Sequence, residues 1–475
     1  MSEAELQKAI AVIPSRFYWL EVARQPRQLV TPSAVYFSID QEFLYEPFFA
    51  DFGPLNLGMV YRYCRLLELY LQEHCEKSRK VLVHFTNMED PAKRANSVFL
   101  VGAAQIILFQ KTADEAWRPF QGLSPPLVPY RDATYGVCTY QCTVLDCLRG
   151  LEKGIELGWF NYDTFDLPEY EYYERVENGD INWILPGKFL AFSGPQSDTS
   201  VENAMGFRYF VPEDYVKVFK RLKVACVIRL NKKQYDRRTF LEAGTSHHDL
   251  YFLDGSCPSR EIIHQFLHIS ENEPGAIAVH CKAGLGRTGT LIGCYAMKHY
   301  RFPAAAFIGW ARICRPGSVL GPQQHFLREI EPQMFRLGAA QMRIPIAPGQ
   351  PMSEGLPEID SPIDGEESDS AGRHSELGSL SPIGQHGDAG QGEFLLSTKR
   401  RHQSASSSMG GATSSTMPTE SPGSSSSASA YSPAHALHAV ALANQVGELD
   451  KVMSEADVSP AVRGPTAALN ARRSC

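Results

Sequence analysis

The sequence predicts an α/β protein built of two similar domains in tandem, followed by a tail of different composition. Three observations predict it. A short apolar run, a glycine-bearing loop and an apolar helical segment follow one another from Ala276 to Tyr300. A weaker version of the same succession starts near Val81, within a stretch where strand-like and helical runs alternate. From about Ile344 onward Ser, Gly and Pro dominate and aromatic residues almost vanish.

Bulk properties set the frame. A chain of 475 residues is long enough for two or three domains, and a hydrophobic share of 43% supplies sizeable cores. A net charge of −7 with pI near 6.1 argues against a general nucleic-acid binder. No apolar run approaches the ~20 residues a membrane span needs, and MSEAELQKAI is not a secretory signal. The 11 cysteines form no dense, even framework, which points to a reduced, intracellular setting. Cys138, Cys142 and Cys147 fit no common zinc spacing. The apolar positions of TYQCTVLDCLRGL recur at helical intervals, so core packing is the better reading. No metal or cofactor is called for.

The first domain spans residues 1–155. RFYWLEVA, AVYFSI and KVLVHF read as strands, and LGMVYRYCRLLELYLQEHC as an amphipathic helix with Asn56 as its cap. Its segment VLVHFTNMEDPAKRANSVFL echoes the later AIAVHCKAGLGRTGTLIGCY. Val83 and His84 stand where Val279 and His280 stand, and Phe85 takes the place of Cys281. The loop to Arg94 is longer and has no glycine, so its N–H groups are less easily exposed. Generic α/β architecture would give two such units, but the helical tails match too, which favours duplication.

Residues 156–187 form a linker. Pro168 and Pro186 punctuate it, with room for a short helix between them. Glu171, Glu174 and Glu177 recur every third residue, on one face of that helix, and Asp180 follows. The face reads equally as a solvated linker surface and as an acidic wall that attracts a basic side chain.

The second domain covers residues 188–340. KVACVIRL reads as a buried strand. Asp254 follows in HHDLYFLDGSCPS, where Asp-Gly is in itself an ordinary turn signal. Next comes Ala276–Val279, one buried strand, and then the loop from Cys281 to Arg287, with helical character from Leu291 to Tyr300. Strand, loop and helix in this order make an anion cradle, because loop N–H groups and the helix N-terminus converge. Lys282, Ala283, Gly284, Leu285 and Gly286 would supply that cradle. A thiol ordinarily titrates near ~8.5, and such dipoles with a guanidinium can lower it by several units. Cys281 then suits nucleophilic attack on phosphorus, Arg287 holds two phosphate oxygens with its planar fork, and the Thr288 hydroxyl is placed to meet the sulfur. His280 fixes the loop or donates from behind it. In ICRPGSVLGPQQHF, Gln323 or Gln324 could position a water, or both could be solvated after a turn; Arg315 reads as a contact to the loop carbonyls or as a surface arginine.

VHCKAGLGRTG resembles the signature of cysteine-dependent dual-specificity phosphatases. The segments KHYRFPAAAFIGWARICRPGSVLGPQQHFL and YEPFFADFGPLNLGMVYRYC are similar, more specifically, to the cell-division-cycle-fourteen family, over residues 10–340. The resemblance implies tandem dual-specificity-phosphatase-like domains, each a central mixed sheet flanked by helices, the first inactive. It implies that Asp254 is the general acid, and that one of the two glutamines, taken here as Gln324, is catalytic. It further implies phosphoserine-proline substrates of proline-directed kinases, with a downstream Lys or Arg held in an acidic groove, for which Glu171, Glu174, Glu177 and Asp180 are the candidates. Work opposing cyclin-dependent kinases in cell division, in cytoplasm and nucleus and at centrosome, spindle or basal body, is implied in the same way.

The tail, residues 341–475, buries too little apolar surface to offset chain entropy and is expected to be disordered. It carries Ser-Pro pairs at Ser361, Ser381, Ser421, Ser432 and Ser459, a short basic cluster at Lys399–Arg401 that reads as a chance cluster or a weak import signal, and some helical periodicity in ALHAVALANQVGELDKVMSEA, a place for a regulatory partner. Two other function classes compete. A phosphoinositide phosphatase would want a second loop lysine where Leu285 stands, and an acidic linker disfavours an anionic membrane. A non-catalytic phosphate-binding scaffold fits the first domain, but not the second, which keeps nucleophile, arginine and acid.

Overall fold

The structure is a computed structural model and describes residues 8–195, 210–343 and 391–409. The first sheet holds β1 (Ile10–Ile13), β2 (Phe17–Val22), β3 (Ala34–Phe37) and β4 (Val81–Asn87) in the order β1-β2-β4-β3. β1 runs antiparallel to β2, while β2 and β3 both run parallel to β4. Helices α1 (Leu57–Tyr70), α2 (Pro91–Phe109), α3 (Ala113–Trp117) and α4 (Val144–Glu156) complete this half. Asn56 caps α1, its side chain accepting from the Met59 N–H, as the sequence predicts.

Then come α5 (Leu167–Glu174), β5 (Ile181–Leu185), β6 (Phe189–Phe192), α6 (Pro212–Arg221), β7 (Val224–Arg229), α7 (Arg238–Glu242), β8 (Ser246–Asp249), α8 (Arg260–Asn272), β9 (Ala276–His280), α9 (Gly286–Tyr300), α10 (Ala304–Cys314), α11 (Pro322–Arg343) and α12 (Gln391–Met409). The second sheet has the order β5-β6-β9-β7-β8. Its first four positions repeat the first sheet strand for strand: an antiparallel pair, then the parallel strand that leads to the loop, then a parallel neighbour. β8 is an added edge. The echo read in the sequence is thus a repeat of topology.

Three expectations need correction. β5 lies inside the stretch read as linker, because its five residues follow a turn at Gly179 and Asp180 instead of a domain boundary. The helix read between Pro168 and Pro186 stops at Glu174. Arg175 is extended (φ −69°, ψ 141°), so Glu177 sits on a separate short turn, Val176–Asn178, and not on the face of Glu171 and Glu174. Within the tail read as disordered, residues 391–409 form α12, whose Leu395 and Leu396 are buried. The five Ser-Pro pairs and the periodic segment near the C-terminus lie outside the described residues.

The two halves share one core. A single cluster of buried apolar side chains runs from Val12, Trp19 and Phe99 through Leu148 to Ile184, Ile292, Trp310 and Met334. At its centre α4 crosses α10. A Cβ on Gly150 would lie 2.3 Å from the Ala306 carbonyl oxygen, and one on Gly309 would lie 2.7 Å from the Cys147 Cα, so both positions need glycine for the backbones to touch. The Trp310 ring packs on Gly154, and its Nε1 donates to the Ile184 carbonyl at 2.9 Å. Cys142 and Cys147 belong to this core, with sulfurs 3.8 Å apart.

Candidate active site

β9 is buried along its whole length and delivers Cys281 to the C-terminal end of the sheet. Cys281 itself is 3% exposed. α9 begins at Gly286, five residues before the apolar pattern predicts, since GRTGT has no hydrophobic periodicity to announce a first turn. The loop from Cys281 to Leu285 is held from behind, carbonyl by carbonyl. The Cys281 oxygen accepts from His280 Nδ1 (2.9 Å), the Lys282 oxygen from the Gly194 N–H (2.9 Å), the Ala283 oxygen from Arg315 Nη2 (2.9 Å) and the Gly284 oxygen from Arg315 Nε (3.0 Å). The Leu285 oxygen accepts from the N–H groups of Gly289 and Val319. In a trans peptide, the N–H of the next residue points opposite to the carbonyl. Four outward carbonyls, from Cys281 to Gly284, therefore turn the N–H groups of residues 282–285 to the other side, where they join the first, unpaired N–H groups of α9. That concavity favours an anion. Gly284 has φ +69°, and a Cβ there would lie 2.0 Å from the Phe192 carbonyl oxygen, so only glycine completes the loop.

Arg287 is fully buried. Its Nη1 donates to the Phe252 carbonyl at 2.9 Å, and its Nη2 lies 3.2 Å from Asp254 Oδ1. Cys281, Arg287 and Asp254 thus converge at one end of the sheet. Thr288 makes no bond to Cys281: its hydroxyl is buried without a hydrogen-bond partner among the described residues. Both glutamines are buried, so neither is solvated. Gln323 is the one beside the loop, its Oε1 against Gly286 and its Nε2 donating to the Ser256 carbonyl (3.0 Å) on the segment of Asp254. Gln324, the choice made from sequence, is turned away and locked between Asp132 and Arg312.

Arg315, which the sequence left open, is fully buried. Besides the two loop carbonyls, its Nη1 donates to the Asp180 carbonyl (2.9 Å), to Asp180 Oδ1 (2.8 Å) and to Asn182 Oδ1 (2.8 Å). The acidic residues therefore have distinct tasks. Asp180, at φ +52°, anchors the loop clamp. Glu171 forms an ion pair with Arg62 at 2.8 Å. Glu174 accepts from Asn56 Nδ2 at 3.1 Å; burial pushes its carboxyl above the usual range, and Lys399 pulls it back. Glu177 is exposed, 3.9 Å from Arg175.

The groove over the loop lies at the seam of the two halves. Phe48 and Ala133 of the first half, with Ala283, Leu285 and Leu320, form an apolar floor, and Leu395 and Leu396 of α12 fill it. At one end of α12 the Gly392 N–H donates to Asp254 Oδ2 at 2.9 Å; further along, Lys399 bonds Asp180. The basic cluster that reads as chance in the sequence is thus partly engaged in this groove. Sequence reasoning missed α12, Gly194 and the wall from the first half, because no local pattern signals which distant segments meet.

The counterpart in the first half is closed to an anion. Asp40 accepts from Thr86 Oγ1 and from the Asn87 N–H (2.9 Å each), and Asp90 accepts from the Ala92 and Lys93 N–H groups at the start of α2. Arg94 turns to Glu21 at 2.7 Å. The chain's own carboxylates occupy the donors.

A cysteine at the mouth of an N–H cradle, closed by an arginine that touches an aspartate, is the arrangement that cysteine-based phosphate chemistry requires. Comparison with known proteins agrees. Residues 11–154 match a family described as "Dual specificity protein phosphatase, N-terminal half", and residues 209–301 one described as "Polymorphic toxin system, DSP-PTPase phosphatase". "Dual specificity protein phosphatase CDC14A" of Mus musculus is 53% identical over 335 residues, and that of Homo sapiens 54%; each match covers 70% of this chain and 55% of the relative. "Tyrosine-protein phosphatase cdc-14" of Caenorhabditis elegans is 45% identical over 305 residues, 63% of this chain and 42% of that one. The chain is thus strongly similar to the CDC14 dual-specificity phosphatases, and it spans little more than half the length of the mouse and human relatives. Among the described residues no helix is long and apolar enough to cross a membrane.

Proposed function

We propose that this chain is a protein phosphatase that hydrolyses phosphoserine-proline, and also phosphothreonine and phosphotyrosine, through a phosphocysteine. The Cys281 sulfur attacks phosphorus while the loop N–H groups and Arg287 take up the charge on the equatorial oxygens. Asp254 gives its proton to the departing oxygen, leaving a free hydroxyl on the substrate. A water positioned by Gln323 then gives its proton to Asp254, attacks the phosphocysteine and releases inorganic phosphate and the thiolate. The observation that carries this reading is the loop whose carbonyls, from Cys281 to Gly284, are all tied back, beside the Arg287–Asp254 pair.

Specificity for a basic residue downstream of the phosphate is supported by Lys399, which reaches Asp180 and the neighbourhood of Glu174 as a substrate side chain would. Leu285, 2% exposed in an apolar cluster, stands where a phosphoinositide reader would want a lysine. In this proposal the substrates are phosphoproteins made by proline-directed kinases, and the work is to oppose cyclin-dependent kinases in cell division, in cytoplasm and nucleus.

The test is a panel of phosphopeptides varied at the residue after phosphoserine and in charge three positions on, with Cys281→Ser as control. Turnover that requires proline and rises with a basic residue is expected, and Cys281→Ser binds the best peptide without releasing phosphate. Release of phosphate from a soluble inositol phosphate but from no peptide overturns the proposal, as does a Cys281→Ser variant that turns over at the parent's rate.

A further inference from the structure

Behind the phosphate loop, three buried polar side chains form a line across the sheet. His280 Nε2 lies 2.8 Å from the Tyr235 hydroxyl, and the same hydroxyl lies 2.8 Å from His247 Nε2. His280 ends β9 and His247 lies in β8; β7 runs between them, and Tyr235, in the segment that follows β7, bridges the gap. None of the three is more than 6% exposed. Burial pushes His280 down to about 3 and His247 down to about 4, so both rings are neutral near pH 7.

The direction of every proton in this line follows from its inner end. A carbonyl oxygen only accepts, so the contact from His280 Nδ1 to the Cys281 oxygen puts the ring proton on Nδ1. Nε2 of a neutral ring then carries a lone pair, and it must accept from the Tyr235 hydroxyl. That hydroxyl has spent its proton, so its oxygen accepts from His247 Nε2–H. His247 Nδ1 is left as a lone pair, and it is indeed buried without a partner among the described residues. Arg229 fastens the bridge, its guanidinium 4.6 Å from the Tyr235 ring centroid and its Nη1 donating to the Tyr235 carbonyl.

We propose that Tyr235 and His247 are positioning residues that fix the tautomer of His280, and so hold the Cys281 carbonyl away from the phosphate site. In the other tautomer, two lone pairs would face each other at 2.9 Å, and the peptide that presents the Lys282 N–H would be free to turn. The inference rests on the phosphatase reading for its kinetic consequence only; its structural claim stands apart.

The experiment uses the full chain labelled with 15N-histidine. Long-range 1H–15N spectra of the parent at neutral pH show His280 as the pure Nδ1–H form and His247 as the pure Nε2–H form. Tyr235→Phe gives a tautomer mixture at His280, and kcat on phosphotyrosine peptide falls about tenfold, equivalent to 1.36 kcal/mol, while KM stays within about twofold. His247→Leu gives a smaller change of the same kind, and His247→Gln, whose amide can donate to Tyr235, restores the parent values. If Tyr235→Phe does not fold, as judged by thermal melting, His247→Leu against His247→Gln carries the test. Pure Nδ1–H in the variant with an unchanged kcat overturns the proposal. A parent without phosphatase activity overturns the functional reading instead, and leaves the tautomer spectra to decide this one.

Discussion

Replacing Arg315 by lysine keeps the charge and removes the fork, which isolates what the clamp's geometry does. Arg315 makes five hydrogen bonds, to the oxygens of Ala283, Gly284, Asp180 (carbonyl and carboxylate) and Asn182. An ammonium has three donors, so at least two bonds are lost. Hydrogen bonds to a charged group contribute ~1.5–3 kcal/mol each, which puts the loss at about 3–6 kcal/mol, shared between folding and catalysis. Asp180 can hold the ammonium, so the bonds given up are those to the loop, and the carbonyls of Ala283 and Gly284 become free to rotate. If about 2.7 kcal/mol of the loss falls on the transition state, kcat drops about a hundredfold. The part that falls on folding lowers Tm by roughly 2 °C per kcal/mol. Steady-state turnover of a phosphotyrosine peptide, with a thermal melt on the same samples, measures both. Turnover within about threefold of the parent, at an unchanged Tm, would refute the claim that the clamp shapes the cradle.

Gln323→Ala should slow hydrolysis of the phosphocysteine more than its formation, seen as a burst of released peptide alcohol before steady state, whereas Gln324→Ala should show no burst but a lower Tm, because Asp132 and Arg312 lose a buried partner. Changing Leu395 and Leu396 together to Glu should expel α12 from the groove, since each leucine gives up about 1.5–3 kcal/mol of burial; KM for phosphopeptides then falls, and an unchanged or higher KM counts against α12 as an occupant that substrate must displace. Stability should also fall with acid. His84, His280 and His247 have folded values pushed down by burial to about 3, about 3 and about 4, so between there and about 6.5 the unfolded chain binds more protons and stability declines as pH drops. At pH 5 the loss is at most ~2 kcal/mol per histidine. Denaturant midpoints at pH 7 and 5 check this, and a His84→Gln variant should show the shallower slope.

Local chemistry was legible wherever one segment carries it alone. Cys281, the glycines and Arg287 lie within seven residues, so their spacing reads directly, and the period of Leu57–Tyr70 with Asn56 before it reads as a capped helix. What could not be read depends on partners far along the chain. Asp180 looks like one more acid in an acidic stretch until Arg315, 135 residues away, is found against it. Glu177 falls in step with Glu171 and Glu174 on paper, but Arg175 leaves the helical region and breaks the phase. Gln323 and Gln324 are chemically identical, and only distant partners tell them apart: Gln323 lies against Gly286 and Ser256, Gln324 between Asp132 and Arg312. α12 sits in a stretch with tail-like flanks, and its two leucines gain a structure only from the floor they cover.

The helix crossing at Gly150 and Gly309 gives the first half a hold over the site that the second half carries. Because one large apolar cluster spans both halves, they should melt in one cooperative step, and the second half expressed by itself would show a raw oily face and tend to aggregate. A methyl group added at Gly150 would push on the backbone of Ala306 and Trp310, and could silence the enzyme without touching a single residue that meets substrate. Changes that disturb the site should therefore be sought in the first half as readily as around Cys281.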